Sequence, residues 1–299
     1  MRTVLVLQLW PARARARKAA VAEAVALLRD LGATPRPGGP MGNRSGLVWV
    51  EIPTAALEAA SGRLPRLGYS VTASALLPST EVASRDIRVR WRGRDHVLRV
   101  VHDADPEVLR ARAPDRRTFL LECSDDAVRE VTGYRGGGGL LTHRALPVLD
   151  ARMLVNLVFR PGLGILLDPF AGAGGIVLEA RDSGWQTLSA DDDATLRFGL
   201  AGIATGHLVA DARALPLLSH SIDAIATEPP YHLSATEAVL GSIEESFRVL
   251  RPGGRLAMLV AAAQRAAMGR RAADLGFVLE LDAAIDRKGT AVAALVWRR

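Results

Sequence analysis

The chain has 299 residues, 49% of them hydrophobic, and a formal net charge of +6 carried almost wholly by arginine, since only Lys18 and Lys288 are lysines. A chain of this size holds one large domain or two ordinary ones, with apolar residues enough for a sizeable core. Its single cysteine, Cys123, excludes an internal disulfide or a cysteine-based zinc site, and no apolar run reaches the roughly 18 residues of a membrane span.

In chain order, "MRTVLVLQLW" reads as a first β-strand and not as a signal peptide, because its apolar run is short and arginines follow it in place of a small-residue cleavage site. "ARKAAVAEAVALLRDLG" spaces its apolar residues as a helix does and stops at Gly32. "PRPGGPMGNRSG" is a loop by composition. The strand "GLVWVEIP", the helix "TAALEAASGRL" and a strand within "YSVTASALL" follow, a strand–helix succession that resembles a small ferredoxin-like module. In "RDIRVRWRGRDHVLRVV", Ile87, Val89 and Trp91 alternate with Arg88, Arg90 and Arg92, and Gly93 marks a turn. Period two with one basic face predicts a strand whose arginine row either reads a nucleic-acid backbone or is simply solvated. "DPEVLRARA" reads as a short helix and "RTFLLECS" as a strand; the glycine run in "YRGGGGLL" places a domain boundary at 140/141.

Charge divides along the same line. Residues 1–150 carry 23 Lys and Arg against 16 Asp and Glu, whereas residues 151–299 carry 15 against 16. The basic excess lies wholly in the first half, which points to a polyanionic partner there. The six histidines show no H-x-H or H-x-x-x-H spacing, so no metal site is expected.

From about residue 145 strands and helices alternate regularly. "PVLDARMLVNLVF" is a helix; "GILLD", "TLSAD", "HLVAD", "DAIATE" and "RLAMLVA" are strands, with "GIVLEARDSG", "ATLRFGLAG" and "SIEESFRVL" as helices; "FVLELDAAI" and "AVAALVWRR" close as a hairpin. This predicts an α/β, doubly wound, mostly parallel Rossmann-like sheet with an antiparallel C-terminal hairpin, behind an α+β N-terminal domain.

Chemistry concentrates at the ends of those strands. "LLDPFAGAGG" sets Asp168 before a glycine turn in which Gly172, Gly174 and Gly175 let backbone approach a ligand. A carboxylate there repels a pyrophosphate but holds a ligand ammonium. "SADDD" ends the next strand with Asp191, suited to a ribose diol, and "VADARALP" offers Asp211 to an adenine amino group. Three carboxylates beside a glycine turn fit an adenosine ligand with an amino-acid tail. "TEPPY" ends the fourth strand with Glu228, two prolines that stop the sheet and fix the backbone, and the flat ring of Tyr231.

The order "DPFAGAGGIVLEA", "SADDD", "VADARALP", "DAIATEPPY", "ESFRVLRPGG" resembles the class I S-adenosylmethionine-dependent methyltransferases. Within them it is similar to the amino-methyltransferases whose fourth motif is Asp/Asn-Pro-Pro-Tyr/Phe, and most similar to the THUMP-associated tRNA guanosine-N2 methyltransferases, whose RNA-binding module precedes the catalytic domain. The resemblance spans residues 142–299. It implies S-adenosylmethionine as cofactor, bound by Asp168, Phe170, Gly172, Gly174, Asp191 and Asp211, and a catalytic set of Glu228, Pro229, Pro230 and Tyr231. It further implies a cytoplasmic enzyme acting on a guanosine of tRNA or other structured RNA, with residues 1–140 as a THUMP-like module.

An exocyclic amine is a poor nucleophile because its lone pair is delocalised into the ring. A carboxylate and the Pro229 carbonyl would accept its N–H groups, and Tyr231 would stack on the base. Glu228 departs from the motif, which has Asp or Asn there. Either the backbone is retracted to suit the longer arm, or the acceptor differs in size or class. Two alternatives follow: an N-methyltransferase of a small amine-bearing metabolite, with the first domain as lid, and a catalytically silent binding protein on the same scaffold.

Overall fold

The computed structural model describes residues 1–38, 46–77, 85–102, 146–287 and 289–299. The chain divides into two compact units, Met1–Cys123 and Ser124–Arg299. The boundary expected at 140/141, the glycine run, and the elements expected in "DPEVLRARA" and "RTFLLECS" lie outside the described residues.

The first unit is built on β1 (Arg2–Leu9), α1 (Arg17–Leu27), β2 (Thr34–Arg36), β3 (Leu47–Pro53), α2 (Leu57–Ser61) and β4 (Ser70–Leu77), with β5 (Arg85–Trp91) and β6 (Arg94–His102) added. The sheet order is β2-β3-β1-β4-β6-β5. β1 lies antiparallel between β3 and β4, so two strand–helix–strand crossovers interlock as in a ferredoxin-like fold. β6 then pairs parallel to β4, and β5 forms the outer edge.

Two expectations need adjustment. The loop read at "PRPGGPMGNRSG" begins with the short strand β2, paired with β3. The helix read over "TAALEAASGRL" contracts to five residues between two 3-10 turns, Thr54–Ala56 and Leu64–Arg66, because Pro53 and Pro65 bracket it. The first unit also carries a buried carboxylate. Glu23 of α1 accepts from the Gly68 and Tyr69 amides at 2.6 and 3.1 Å, which fixes the entry to β4.

The second unit holds α3 (Val148–Leu157), β7 (Ile165–Asp168), α4 (Gly175–Asp182), β8 (Gln186–Asp191), α5 (Arg197–Ile203), β9 (Gly206–Val209), β10 (Ile222–Thr227), α6 (Thr236–Val249), β11 (Leu250–Ala261), α7 (Arg265–Asp274), β12 (Val278–Arg287) and β13 (Thr290–Arg298). Helix α7 has no counterpart among the elements read from the sequence. Its composition, "RAAMGRRAAD", buries only Met268 and Ala272 and so shows little apolar periodicity.

Sheet order is β12-β13-β11-β10-β7-β8-β9. The five strands from β11 to β9 run parallel, and β13 and β12 turn back antiparallel. Every residue of β10 is buried, as a parallel strand covered on both faces requires. The chain leaves β7 toward β8 on one side and returns to β10 on the other. The crevice above the carboxyl ends of β7 and β10 is therefore the switch point where open α/β sheets bind ligands.

The opposite end is locked. Asp223 accepts from Arg160 at 2.8 Å, Arg251 at 2.7 Å and the Ile165 amide at 2.9 Å. A buried bidentate pair, Arg152 with Glu179 at 2.9 and 3.2 Å, ties α3 to α4 beneath the crevice.

Candidate active site

Asp168 and Asp191 are the last residues of β7 and β8; Glu228 follows β10 directly, and Asp211 stands two residues beyond β9. Parallel neighbours carry all four to one edge of the sheet. The glycine turn between β7 and α4 needs its glycines: Gly172 has φ +47° and Gly174 +80°, left-handed values that β-carbons disfavour. Gly174 also packs against Ile203 so closely that a β-carbon would displace it. The Ala171 amide donates to Ala190 O at 3.0 Å, which draws the turn over β8.

Asp168 is 1% exposed. Oδ1 accepts from Thr227 Oγ1 at 2.7 Å and the Phe170 amide at 3.2 Å, so β10 and the turn both hold it. No cation pairs with it among the described residues. Burial pushes its carboxyl up to about 7 against those two hydrogen bonds, and Asp191 and Glu228 nearby add to the rise. A buried carboxylate without a countercharge, facing two more acids, suits a cationic ligand group. The donor set thus fits the ammonium end of the expected cofactor.

Asp191 is bound into the turn. Its Oδ2 accepts from the Gly172 amide at 2.7 Å and its Oδ1 from the Asp193 amide at 3.0 Å. Each oxygen keeps a lone pair, so a ribose diol fits. Asp191→Ala should weaken cofactor binding by about 1–3 kcal/mol, because a ribose diol would lose its acceptors and Gly172 loses its anchor; calorimetry reads this directly. Phe170 is half-buried beside the turn. Asp211 is different. Arg213 takes both its oxygens, with Nε at 3.0 Å from each, and holds the carboxyl below its ordinary range. An adenine amino group would share Asp211 with Arg213 and not meet it free.

At "TEPPY" the structure adds partners. Pro229 is buried, and its carbonyl accepts no hydrogen bond from the described residues. The Gln264 side chain, 1% exposed, donates Nε2 to Pro230 O at 3.1 Å and to His232 O at 3.4 Å, pinning the loop after the prolines. Glu228 Oε1 accepts from the Tyr231 hydroxyl and from Arg287 Nη1 at 2.6 Å; that same Nη1 lies 2.8 Å from the Tyr231 oxygen, and Arg287 Nε lies 3.2 Å from the fully buried Asp150 of α3. Burial raises the Glu228 carboxyl, opposed by Tyr231 and Arg287. Burial and the adjacent Glu228 also raise the Tyr231 phenol, which stays protonated.

The structure therefore brings Asp168, Asp191, the glycine turn and Glu228 together, gives a part to Thr227, which the motif contains but to which no role was assigned, and adds Asp150, Gln264 and Arg287 from outside the motifs. Arg287 sits 59 residues from Glu228, in a hairpin whose sequence carries no functional pattern. Asp150 lies in "PVLDARMLVNLVF", where an acid among apolar residues was the one available signal.

Strand order, glycine turn and acidic strand ends are those of the class I S-adenosylmethionine-dependent methyltransferase fold. The crystal structure of TrmN from Thermus thermophilus matches over 99% of both chains, with 21% identity and a TM-score of 0.52, and so shares the fold. In sequence, the chain is 35% identical over 159 residues to a tRNA (guanine(6)-N2)-methyltransferase of Thermus thermophilus, covering 48% of this chain and 46% of that one. It is 39% identical over 95 residues to a tRNA (guanine(10)-N2)-dimethyltransferase of Methanothermobacter thermautotrophicus, covering 29% and 28%. The resemblance read from the motifs is thus found by sequence comparison over part of the chain. The chain spans less than half the length of each of these two curated relatives. No protein-family model matches it. Among the described residues, no helix is long and apolar enough to cross a membrane.

Proposed function

We propose that the chain is an S-adenosylmethionine-dependent N-methyltransferase acting on an exocyclic amino group of guanosine in tRNA. The observation that carries this reading is the convergence of Asp168, Asp191 and Glu228 at one switch point, with Glu228 on a proline-fixed loop. The names of the two curated relatives support guanosine N2 as the acceptor.

When bound, the cofactor supplies a sulfonium methyl; the amine nitrogen forms the new N–C bond as the C–S bond breaks, its electrons pass to sulfur, and the amine gives up a proton. The chain's own residues prepare that event. Asp168 holds the ligand's ammonium, and Asp191, steadied by the Gly172 amide, holds the ribose end. Glu228 and Pro229 O accept hydrogen bonds from the two amine N–H groups, which frees the nitrogen lone pair and stabilises the charge that develops on it. The carboxylate Oε2 of Glu228 takes the departing proton. The Tyr231 ring remains available as a stacking face even though its hydroxyl is engaged.

Residues 1–140 act in this reading as the RNA-binding module. Arg88 and Arg90 stand exposed on the edge strand β5, while Ile87 is buried beneath them; Arg92 sits in the following turn with its guanidinium over the Trp91 ring. Replacing Arg88 and Arg90 together by Glu should weaken tRNA binding and flatten the slope of log K against log salt by about two, one for each phosphate that an arginine no longer neutralises. Filter binding across a salt series checks it, and an unchanged slope removes β5 from the RNA face.

The test of the function is transfer of labelled methyl from S-adenosylmethionine, offered with total tRNA and separately with a small-metabolite extract. Label in tRNA supports the proposal; label only in the metabolite fraction transfers the same site to a small amine.

A further inference from the structure

Glu228 stands where the methyltransferases that the chain resembles carry Asp or Asn, and the structure gives its extra methylene something to reach. Two donors, the Tyr231 hydroxyl and Arg287 Nη1, converge on Oε1, whereas Oε2 accepts no hydrogen bond from any described residue. Arg287 is itself held from behind, with Nε 3.2 Å from Asp150, a residue with no exposed side-chain surface. Asp150 belongs to α3, which the buried Arg152–Glu179 pair fastens to α4. The chain of contacts runs from the helix layer through the end of β12 to the reacting edge of β10.

We infer that Arg287 is a positioning residue that tethers Glu228 by Oε1 so that Oε2 faces the acceptor amine, and that this tether is why the site carries Glu in place of Asp; the inference rests on the methyl-transfer reading. A carboxylate's terminal torsion is broad and roughly two-fold, so an untethered Glu spreads its oxygens over many directions. The planar guanidinium fork, fixed at Nε by Asp150, removes that freedom through Nη1. An Asp at 228 draws the carboxyl back by about 1.5 Å, one C–C bond, which breaks the 2.6 Å contact. A lysine at 287 has one nitrogen and cannot occupy both ends of the fork.

A kinetic double-mutant cycle tests this. Arg287→Met should lower kcat for methyl transfer to tRNA by about 10²-fold, the cost of misaiming a reacting group, with the cofactor dissociation constant unchanged. Glu228→Asp should lose a similar amount. The double variant should be no slower than Glu228→Asp alone, since Asp does not reach the tether, and Arg287→Lys should fall between wild type and Met. Additive losses, or a full-rate Arg287→Met, would overturn the tether. A second readout needs no acceptor. Carbon-13 NMR titration of the Glu228 carboxyl, assigned by its loss in Glu228→Gln, should show a higher midpoint in Arg287→Met and, to a lesser extent, in Arg287→Lys. The other charged or titratable groups that act there are Tyr231 on its own loop, Asp150 on α3 and Asp168 on β7, and all three remain. An unmoved midpoint rejects the tether whatever the substrate. A wild-type enzyme that leaves tRNA unmethylated instead rejects the functional reading, and the titration then decides the tether alone.

Discussion

Glu228→Ala should slow methyl transfer about 10²–10³-fold, the usual cost of deleting a preorganised group that meets developing charge. Cofactor affinity should stay close to wild type, because the proposed reading gives Glu228 to the acceptor and Asp168 and Asp191 to the cofactor. Glu228→Gln keeps an oxygen but no charge and should lie between wild type and Ala. Wild-type rate should also fall as pH drops through the Glu228 carboxyl's raised midpoint, since only the ionised form accepts the amine protons. Stopped single-turnover assays with saturating cofactor separate this loss from binding. A full-rate alanine variant would reduce "TEPPY" to a strand-end turn.

The second large effect belongs to Asp168. Asp168→Asn preserves shape and the acceptor for Thr227 Oγ1 and the Phe170 amide, so the fold should survive. The charge that the proposed reading sets against the ligand ammonium is gone, and truncating one partner of a buried charge pair costs about 2–5 kcal/mol of affinity. Wild-type cofactor affinity should rise as pH increases through about 7, where Asp168 ionises, and level off above it. The asparagine variant should lose that slope. Linkage gives the unliganded protein the opposite trend. The folded carboxyl sits at about 7 against 3.8 unfolded, so the folded state binds the proton more tightly. Its contribution is fully present below about 3.8 and is lost as pH rises through about 7. Isothermal calorimetry and thermal melts over pH 5–9 check both signs, and a flat affinity profile with a rising melt profile would remove Asp168 from the ammonium site.

Much of this arrangement was legible in the chain because the signals are local. A buried parallel strand ending in Asp, a left-handed glycine turn and the start of a helix lie within the few residues of "GILLDPFAGAGG", and period-two patterning marked β5 with no need of distant residues. The closing hairpin was legible for the same reason. The helix over "TAALEAASGRL" was over-read because its apolar spacing outweighed the prolines on both sides. Arg287 and Asp150 were not legible. The contacts that join them to Glu228 exist only after β12 folds back across 59 residues, and the one local signal, an acid in an apolar helix, names no partner. Arg213's hold on Asp211 was missed although only two residues apart, because a charged neighbour in a loop has no pattern to distinguish it.

The departure at Glu228 reads differently with the fold in view. From the motif alone, the longer arm meant either a retracted backbone or a different acceptor. The contacts of Oε1 give the extra methylene a partner within the protein, so neither a changed acceptor class nor an altered strand end is needed to account for it.

The most direct test of methyl transfer to guanosine is nucleoside mass spectrometry on unmodified tRNA incubated with the protein and S-adenosylmethionine. The account predicts N2-methylguanosine, formed by wild type and reduced at least about 10²-fold with Glu228→Ala. Unmodified nucleosides throughout, from a protein that binds both cofactor and tRNA, would contradict it.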